Sequence, residues 1–395
     1  MGKTKMSSER EQNLRALAKL MNKQNVRPVP ITKALLDCFE MAITPEENAF
    51  LLRMGREPHT YEEAASLSNL PEESFRPFFE TQLEKGLIWP ERTKEGEERF
   101  TLSPIFVGWF ELYLSDGKET PDKKEFAHGV DRYFKSFKKI NFFPLRNFLN
   151  YQFQRKSKSL QTIAAIKQPN ETKKTVSIHV DRKLEVPATK VFPAKSVFEL
   201  IEKYGDSNKI ALVHCFCRQW RKMVNEPCRF DLPSEACIVI GDMTKYIVDY
   251  GIGRYISKEK ALEIIQEVEE KGAVHQVFYE KEDINQSEIA ICNCCWDCCG
   301  ILGSYNRGIL PLRLKSYYCS EISDDSLCLG CGACEKYCPV NAISLVDEKA
   351  NIDTQKCIGC GQCAFQCPED AITLIFRERE VILPLQKKSD ARIAA

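Results

Sequence analysis

Two cysteine runs near the C-terminus restrict this chain more than any other feature. The first reads Cys328-Leu-Gly-Cys331-Gly-Ala-Cys334-Glu-Lys-Tyr-Cys338-Pro339, the second Cys357-Ile-Gly-Cys360-Gly-Gln-Cys363-Ala-Phe-Gln-Cys367-Pro368. Both are C-x2-C-x2-C-x3-C-P. Zinc sites show two separated C-x2-C pairs, not a run of three thiols plus a fourth. A run of this kind holds iron–sulfur clusters: three thiolates wrap one face of a cube of iron and sulfide, and the fourth cysteine serves the neighbouring cluster. The spacing therefore assigns Cys328, Cys331, Cys334 and Cys367 to one cluster. Cys357, Cys360, Cys363 and Cys338 go to the other. Gly330, Gly332, Gly359 and Gly361 let the backbone pass close and turn its amides toward sulfur, and Pro339 and Pro368 bend the chain away.

On these motifs, residues 324–376 resemble the bacterial two-[4Fe-4S] ferredoxins. The tandem Ala342-Ile343 and Ala371-Ile372 after the two runs fit the internal repeat of that fold, a short helix and a returning strand. The resemblance implies two [4Fe-4S] clusters and one-electron transfer.

A chain of 395 residues is much longer than a ferredoxin, so further domains are expected. Its 56 basic and 56 acidic residues cancel, which removes any global electrostatic argument for nucleic acid. Of 19 cysteines only Cys38 precedes residue 215, so cysteine usage marks a metal-binding half. The polar start MGKTKMSSER lacks an apolar core of a secretory signal, and no run is long enough to span a bilayer. These features predict a cytoplasmic protein whose dense thiols serve metal or redox chemistry, not disulfides. Unprotected clusters point to an anaerobic or microaerobic host.

In the N-terminal part, residues 8–23 read as a helix with Leu14, Leu17, Ala18 and Met21 on one face. From about 31 to 115 the pattern is three helices and a two-stranded ribbon. Thr60 caps one helix, and Pro71 opens the next, lined by Phe75, Phe78, Phe79 and Leu83. Residues 87–89 and 99–102 read as the strands. The order resembles a winged helix-turn-helix domain. The presumptive recognition helix, 71–85, carries Glu72, Glu73, Glu80 and Glu84 against Arg76 and Lys85. Such a helix repels phosphate, which argues against DNA and for a structural or protein-binding role. From Lys135 to Lys174 the chain is strongly basic, with ten basic residues against Glu171, and Phe134, Phe137, Phe142, Phe143, Phe148, Tyr151 and Phe153 are interleaved. This reads as a linker helix with solvated lysines, or as a patch for a membrane surface or an acidic partner.

The middle segment alternates strands and helices: 176–180, 210–213 and 273–277 as strands, 195–203 and a Ser257-capped stretch as helices. It carries nine cysteines, Cys215, Cys217, Cys228, Cys237, Cys292, Cys294, Cys295, Cys298 and Cys299, with Cys319 as a tenth. One further cubane needs four of them and two need eight. The dense Cys292-Asn-Cys294-Cys295-Trp-Asp-Cys298-Cys299 stretch suits two clusters, an atypical cluster, or thiols left for substrate or disulfide chemistry. The C-x-C-R stretch at Cys215–Arg218, the scattered cysteines, Ile291-Cys-Asn-Cys-Cys295 and the C-terminal runs together resemble a group of large 4Fe-4S-binding proteins of anaerobic bacteria and archaea, over residues 185–376. Cys298-Cys299-Gly300 is also similar to one triplet of the cysteine-rich subunit of heterodisulfide reductases. His214 and His275 are either core histidines or candidate ligands. Gly251-Ile-Gly253-Arg lacks the third glycine of a dinucleotide fingerprint, so no Rossmann-type site is expected.

The fold expected is α+β and multidomain: a winged-helix-like domain over 1–115, a basic aromatic linker over 116–174, a cysteine-rich α+β module over 175–320 and a ferredoxin domain over 321–395. The function expected is electron transfer between the two [4Fe-4S] clusters, one or two further iron–sulfur clusters in the middle module, and a partner oxidoreductase. Two other readings stand beside it: an oxidoreductase acting at a middle-module cluster, and an iron–sulfur redox sensor acting through the winged helix.

Overall fold

Helices begin in the N-terminal part where a capping side chain meets apolar periodicity. The computed structural model describes residues 7–25, 28–93, 95–140, 160–163, 197–205, 209–279 and 289–386. Helix α1 (Ser8–Gln24) starts at Ser7, whose hydroxyl accepts from the Arg10 amide, and it buries Leu14, Leu17, Ala18 and Met21, the face read from the sequence. Thr32 caps α2 (Lys33–Ala42). The capping box of Thr44 and Glu47 opens α3 (Pro45–Met54), and that of Thr60 and Glu63 opens α4 (Tyr61–Ser68). In α5 (Glu72–Glu84) Phe75, Phe79 and Leu83 are buried, while Phe78 is half-buried. The ribbon is β1 (Ile88–Arg92) with β2 (Glu98–Leu102), antiparallel, Ile88 opposite Leu102. After residue 31 four helices, α2 to α5, thus precede the ribbon, not three, because Thr44 and Pro45 start a new helix immediately after α2 ends. Then come α6 (Phe110–Leu114) and α7 (Pro121–Ile140).

The remaining elements are β3 (Leu160–Ile163), α8 (Val197–Tyr204), β4 (Ile210–His214), α9 (Phe216–Met223), β5 (Glu235–Ile240), α10 (Met243–Asp249), β6 (Gly253–Tyr255), α11 (Lys258–Glu270), β7 (Val274–Tyr279), β8 (Ile289–Cys294), α12 (Leu302–Asn306), β9 (Leu312–Ile322), α13 (Ala333–Tyr337), β10 (Ile343–Val346), β11 (Lys349–Ile352), α14 (Gln362–Phe365) and β12 (Ile372–Leu383). Helix and strand are mixed as in an α+β protein. The expected strand at 176–180 and most of the basic stretch, 141–159 and 164–174, lie outside the described residues.

Internal contacts divide the chain into two units. The first comprises Met1–Ser136, Val213–Pro227 and Met243–Arg254. An aromatic core holds it together, with Phe39 edge-on to Trp109 at 4.7 Å and Phe134 stacked on Trp220 at 4.8 Å. Buried Arg221 meets Asp131 at 3.2 Å, and Lys135 meets the same carboxylate at 2.8 Å. At its margin the basic stretch therefore contributes a core aromatic and a paired lysine.

The second unit comprises Phe137–Leu212, Cys228–Asp242 and Tyr255–Ala395. Its strands run in the order β12-β9-β3-β7-β8-β5-β4 within one sheet. Strands β5, β8 and β7 pair antiparallel in that order, with Ile238 opposite Ile291 and Gln276 opposite Cys292. Because successive residues of a strand face opposite sides, the sheet has a core on each face. On one, Val197, Leu200 and Ile201 of α8 and Ile264, Ile265 and Val268 of α11 cover Ile238, Ile240, Val277, Ile289 and Ile291. On the other, Val274, Leu312 and Leu314 join Ile343, Ile358, Ile372 and Leu374 of the C-terminal segment. That segment folds as the hairpin β10–β11, the short helices α13 and α14, and the long strand β12 paired antiparallel with β9.

Candidate iron–sulfur centres

The eight C-terminal cysteines gather into two sets. Around Cys334 the neighbouring thiols are Cys367, Cys328 and Cys331. Around buried Cys360 they are Cys363, Cys338 and Cys357. Each set takes three cysteines from one run and one from the other. Cys328, Cys331, Cys334 and Cys367 line one shallow pocket together with Leu327, Leu329 and Leu345.

Backbone amides point at the sulfurs. Ala350 donates to Cys328 Sγ at 3.4 Å, Ala342 to Cys338 Sγ at 3.1 Å and Ala371 to Cys367 Sγ at 3.3 Å. Gly359 and Ser320 both donate to Cys357 Sγ at 3.4 Å. The tandem alanines have a cause here: each lies four residues after the last cysteine of its run and binds that sulfur. Gly330 and Gly359 sit at φ +66° and +67°, where a Cβ would lie 2.3 Å from the Glu348 carbonyl oxygen and 2.0 Å from that of Tyr318. Only glycine allows so close a backbone approach.

The sets differ in their surroundings. Cys331 is exposed, and Leu327, Leu329 and Leu345 are exposed around the first set. The second set is buried and receives donors from β9, which spacing could not indicate. The Ser320 hydroxyl lies 3.0 Å from Cys363 Sγ and 3.8 Å from Cys357 Sγ, and Arg379 reaches Cys319 Sγ at 3.7 Å. The Cys319 thiol donates to Cys357 and, with the Ser320 and Gly359 amides, brings that thiol down to about 5. In the first set, amides of Ala350 and Gly330 lower Cys328, while burial raises Cys334 to about 11.

The middle cysteines divide by the pleat of β8. Cys292 and Cys294 alternate with Ile289 and Ile291, which face α8 and α11, and so point to the other side. Cys294 shares hydrogen bonds with Cys292 and Cys299, which raise its pKa well above the ordinary thiol value. Ala236, Ile238 and Ile240 of β5 belong to the helix-covered core, so Cys237 between them turns to the same side as Cys292 and Cys294. Gln276, opposite Cys292, is wholly buried there, and neither atom of its amide has a hydrogen-bond partner. Cys295 and Cys298 belong to the helix-covered side, where half-buried Cys228 packs against the same core. Cys228 Sγ lies 3.5 Å from Cys295 Sγ, which is 2.8 Å from Cys298 Sγ. Cys215 and Cys217 stand at the start of α9 in the first unit.

Both candidate histidines are accounted for by packing. His275 is wholly buried, with Nδ1 2.5 Å from Asn293 Oδ1 and Nε2 3.0 Å from Glu269 Oε1, so both ring nitrogens are engaged. The ring of His214 lies against Gly117.

Thiols in two sets, amides aimed at sulfur and glycines that admit the backbone make a donor set that fits iron–sulfur ligation. Residues 327–374 match the family model of the 4Fe-4S dicluster domain. No curated protein and no solved structure matches the chain. The chain is thus an iron–sulfur protein in its C-terminal part. That part is a ferredoxin-type 4Fe-4S dicluster domain, which suggests electron transfer. No helix among the described residues is long and apolar enough to cross a membrane.

Proposed function

We propose that the protein passes single electrons between a partner oxidoreductase and a cluster in its own middle module, by way of the dicluster domain. The observation that carries this reading is the pair of cysteine sets with amides directed at sulfur. Cys328, Cys331, Cys334 and Cys367 hold one cluster, and Cys357, Cys360, Cys363 and Cys338 the other. When bound, [4Fe-4S] clusters supply one-electron redox chemistry. The chain's own part is to tune and insulate: amides, Ser320 and Cys319 stabilise negative charge on sulfur, and burial keeps water from the second set.

The first set is the docking end. Its exposed Cys331 lies among exposed Leu327, Leu329 and Leu345, an apolar rim of the kind partner proteins cover. The inner end is Cys237, Cys292, Cys294 and Cys299, four thiols on the sheet face whose core includes the dicluster cysteines. Four thiols on one face suit one further [4Fe-4S] cluster, and Gln276 gives that face an unused polar group. The residues over 1–115 act as a winged-helix-like structural or protein-binding domain. Both basic residues of its presumptive recognition helix are already engaged, Arg76 by Glu72 at 3.3 Å and Lys85 by Glu47 at 2.8 Å, which leaves little to neutralise phosphate.

The test is iron and sulfide quantification with EPR on anaerobically purified, reduced protein. Twelve irons per chain are expected from three cubanes, with Cys294→Ala losing the third signal and keeping the ferredoxin pair. Unchanged iron in Cys294→Ala would remove the third centre. Loss of no signal in Cys334→Ala or Cys363→Ala would overturn the dicluster assignment itself.

A further inference from the structure

The helix-covered face of the sheet presents a second, different thiol group. Cys228, Cys295 and Cys298 place their sulfurs within 4.8 Å of one another. No other trio of His, Cys, Asp or Glu ligand atoms among the described residues is so compact, and that includes the two dicluster sets. Thiols that flank a cube of four irons are held apart by it. Thiols around one ion are separated only by the edge of its tetrahedron, about 3.8 Å for metal–sulfur bonds of ≈ 2.3 Å. The 3.5 Å separation is near that edge, and the 2.8 Å one is shorter still and opens by about 1 Å when an ion enters, so the trio is gathered for one ion and not spread around a cube.

The frame around the trio is built for thiolate charge. Cys295-Trp-Asp-Cys298 is a C-x2-C turn, and the Cys298 amide donates back to Cys295 Sγ at 3.2 Å. Amides of Phe230 and Leu232 donate to Cys228. Buried Arg307 lies close enough to Cys298 and Cys295 to feel their charge and pairs with Asp297 at 3.3 Å, while the Arg229 amide holds the same carboxylate at 3.0 Å. With three thiolates, Asp297, Arg229 and Arg307, a dication brings the formal charge of the group to zero. Without the metal, three sulfurs this close cannot all ionise, since like charges repel strongly away from water. Phe230, edge-on to Trp296 at 5.2 Å, shelters the group, and half-buried Cys228 leaves an entry.

We propose that Cys228, Cys295 and Cys298 bind one divalent ion of the zinc class, a mononuclear site separate from every iron–sulfur centre of the chain. Three protein thiolates and a fourth donor complete the tetrahedron, as borderline-soft zinc prefers. Sites of this kind are closed and structural when the fourth donor is a protein side chain, and reactive when it is exchangeable.

The experiment uses the full-length holoprotein, purified without oxygen, loaded with Zn2+ and dialysed against a chelator. Zinc and iron are counted on the same sample, and zinc-edge X-ray absorption reads the ligands. About one zinc per chain with a sulfur shell near 2.3 Å is expected. Cys228→Ser and Cys298→Ser should each lose zinc while iron content and the EPR of the dicluster domain stay as in the parent, which also shows that the variants fold. The absorption spectrum of the unmutated protein decides the matter if a variant does not fold. Absence of zinc after loading, zinc retained in both variants, a shell without sulfur, or iron falling in step with either substitution would each overturn the site. Iron and EPR report on the electron-transfer reading and zinc on this one, so the two fail separately.

Discussion

Replacing Ser320 with alanine tests how the fold tunes one centre and not its neighbour. The Ser320 hydroxyl lies 3.0 Å from Cys363 Sγ and 3.8 Å from Cys357 Sγ, and both cysteines belong to the buried set. The thiols donate to this oxygen, but ionised as cluster ligands they can only accept from it; Ser320→Ala removes that donor and keeps the backbone amide that reaches Cys357 at 3.4 Å. A hydrogen bond to a charged group contributes about 1.5–3 kcal/mol net. Only the part that grows when an electron adds negative charge to the sulfurs affects the potential. Taking about a third of the whole gives about 0.5–1 kcal/mol. For a one-electron couple a tenfold change in equilibrium constant, 1.4 kcal/mol, is 59 mV, so the shift is about 20–40 mV. Its sign follows from the charge: losing a donor disfavours the reduced state, and the potential falls. An EPR-monitored redox titration should show one ferredoxin-type signal moving down by that amount. The other, from the set containing Cys331, should hold its place. Equal movement of both signals, movement upward, or none at all would refute the role given to Ser320.

Three further outcomes follow from the same geometry. Gly359→Ala should lower the iron content, because its Cβ would meet the Tyr318 carbonyl at 2.0 Å. Gly55→Ala, at a similar φ of +65° with nothing within 4 Å, should keep all its iron and cost only about 1–3 kcal/mol in denaturant unfolding. Glu47→Gln should destabilise the N-terminal unit by about 3 kcal/mol, read from its urea midpoint, since that buried carboxylate holds Lys85 at 2.8 Å and the Thr44 amide at 2.8 Å. Leu329→Glu, on a side chain 68% exposed, should slow stopped-flow electron exchange with a protein partner while leaving iron content and reduction by dithionite unchanged. An unaltered partner rate would move the docking face elsewhere.

What could be read in advance depended on how local each feature is. The dicluster runs are legible because ligand spacing is a property of a dozen consecutive residues, and even the exchange of the fourth cysteine follows from the repeat. Helix α1 is legible for the same reason: Ser7 and its apolar face lie within one segment. The middle cysteines could be counted but not sorted. The sorting signal was present, since Ile289-Ala-Ile291 continues as a strand through Cys294, and a strand must send Cys292 and Cys294 to one side and Cys295 to the other. Cys228 could not be joined to Cys295 that way, because 67 residues separate them and only the tertiary fold brings their sulfurs to 3.5 Å. Ser320 and Cys319 were equally remote from Cys357, being on the neighbouring strand β9. The extra helix α3 was missed although Thr44, Pro45 and Glu47 spell its start, because α2 ends only three residues before.

Strand β8 ends on Cys294 and is followed at once by Cys295, one peptide bond between a thiol of one face and a thiol of the other. Their Cα atoms stand 3.8 Å apart, and the strand between them is held on both edges by β5 and β7. The cluster and the cation proposed for the two faces would share this wall and so would not be independent. An electron arriving on one face changes the field at the other, so affinity for a cation behind the wall should rise on reduction. By linkage, filling that rear site must ease reduction of the front one by the same free energy. With both proposed centres filled, a sheet used as a partition in this way would turn metal supply into a setting of redox potential.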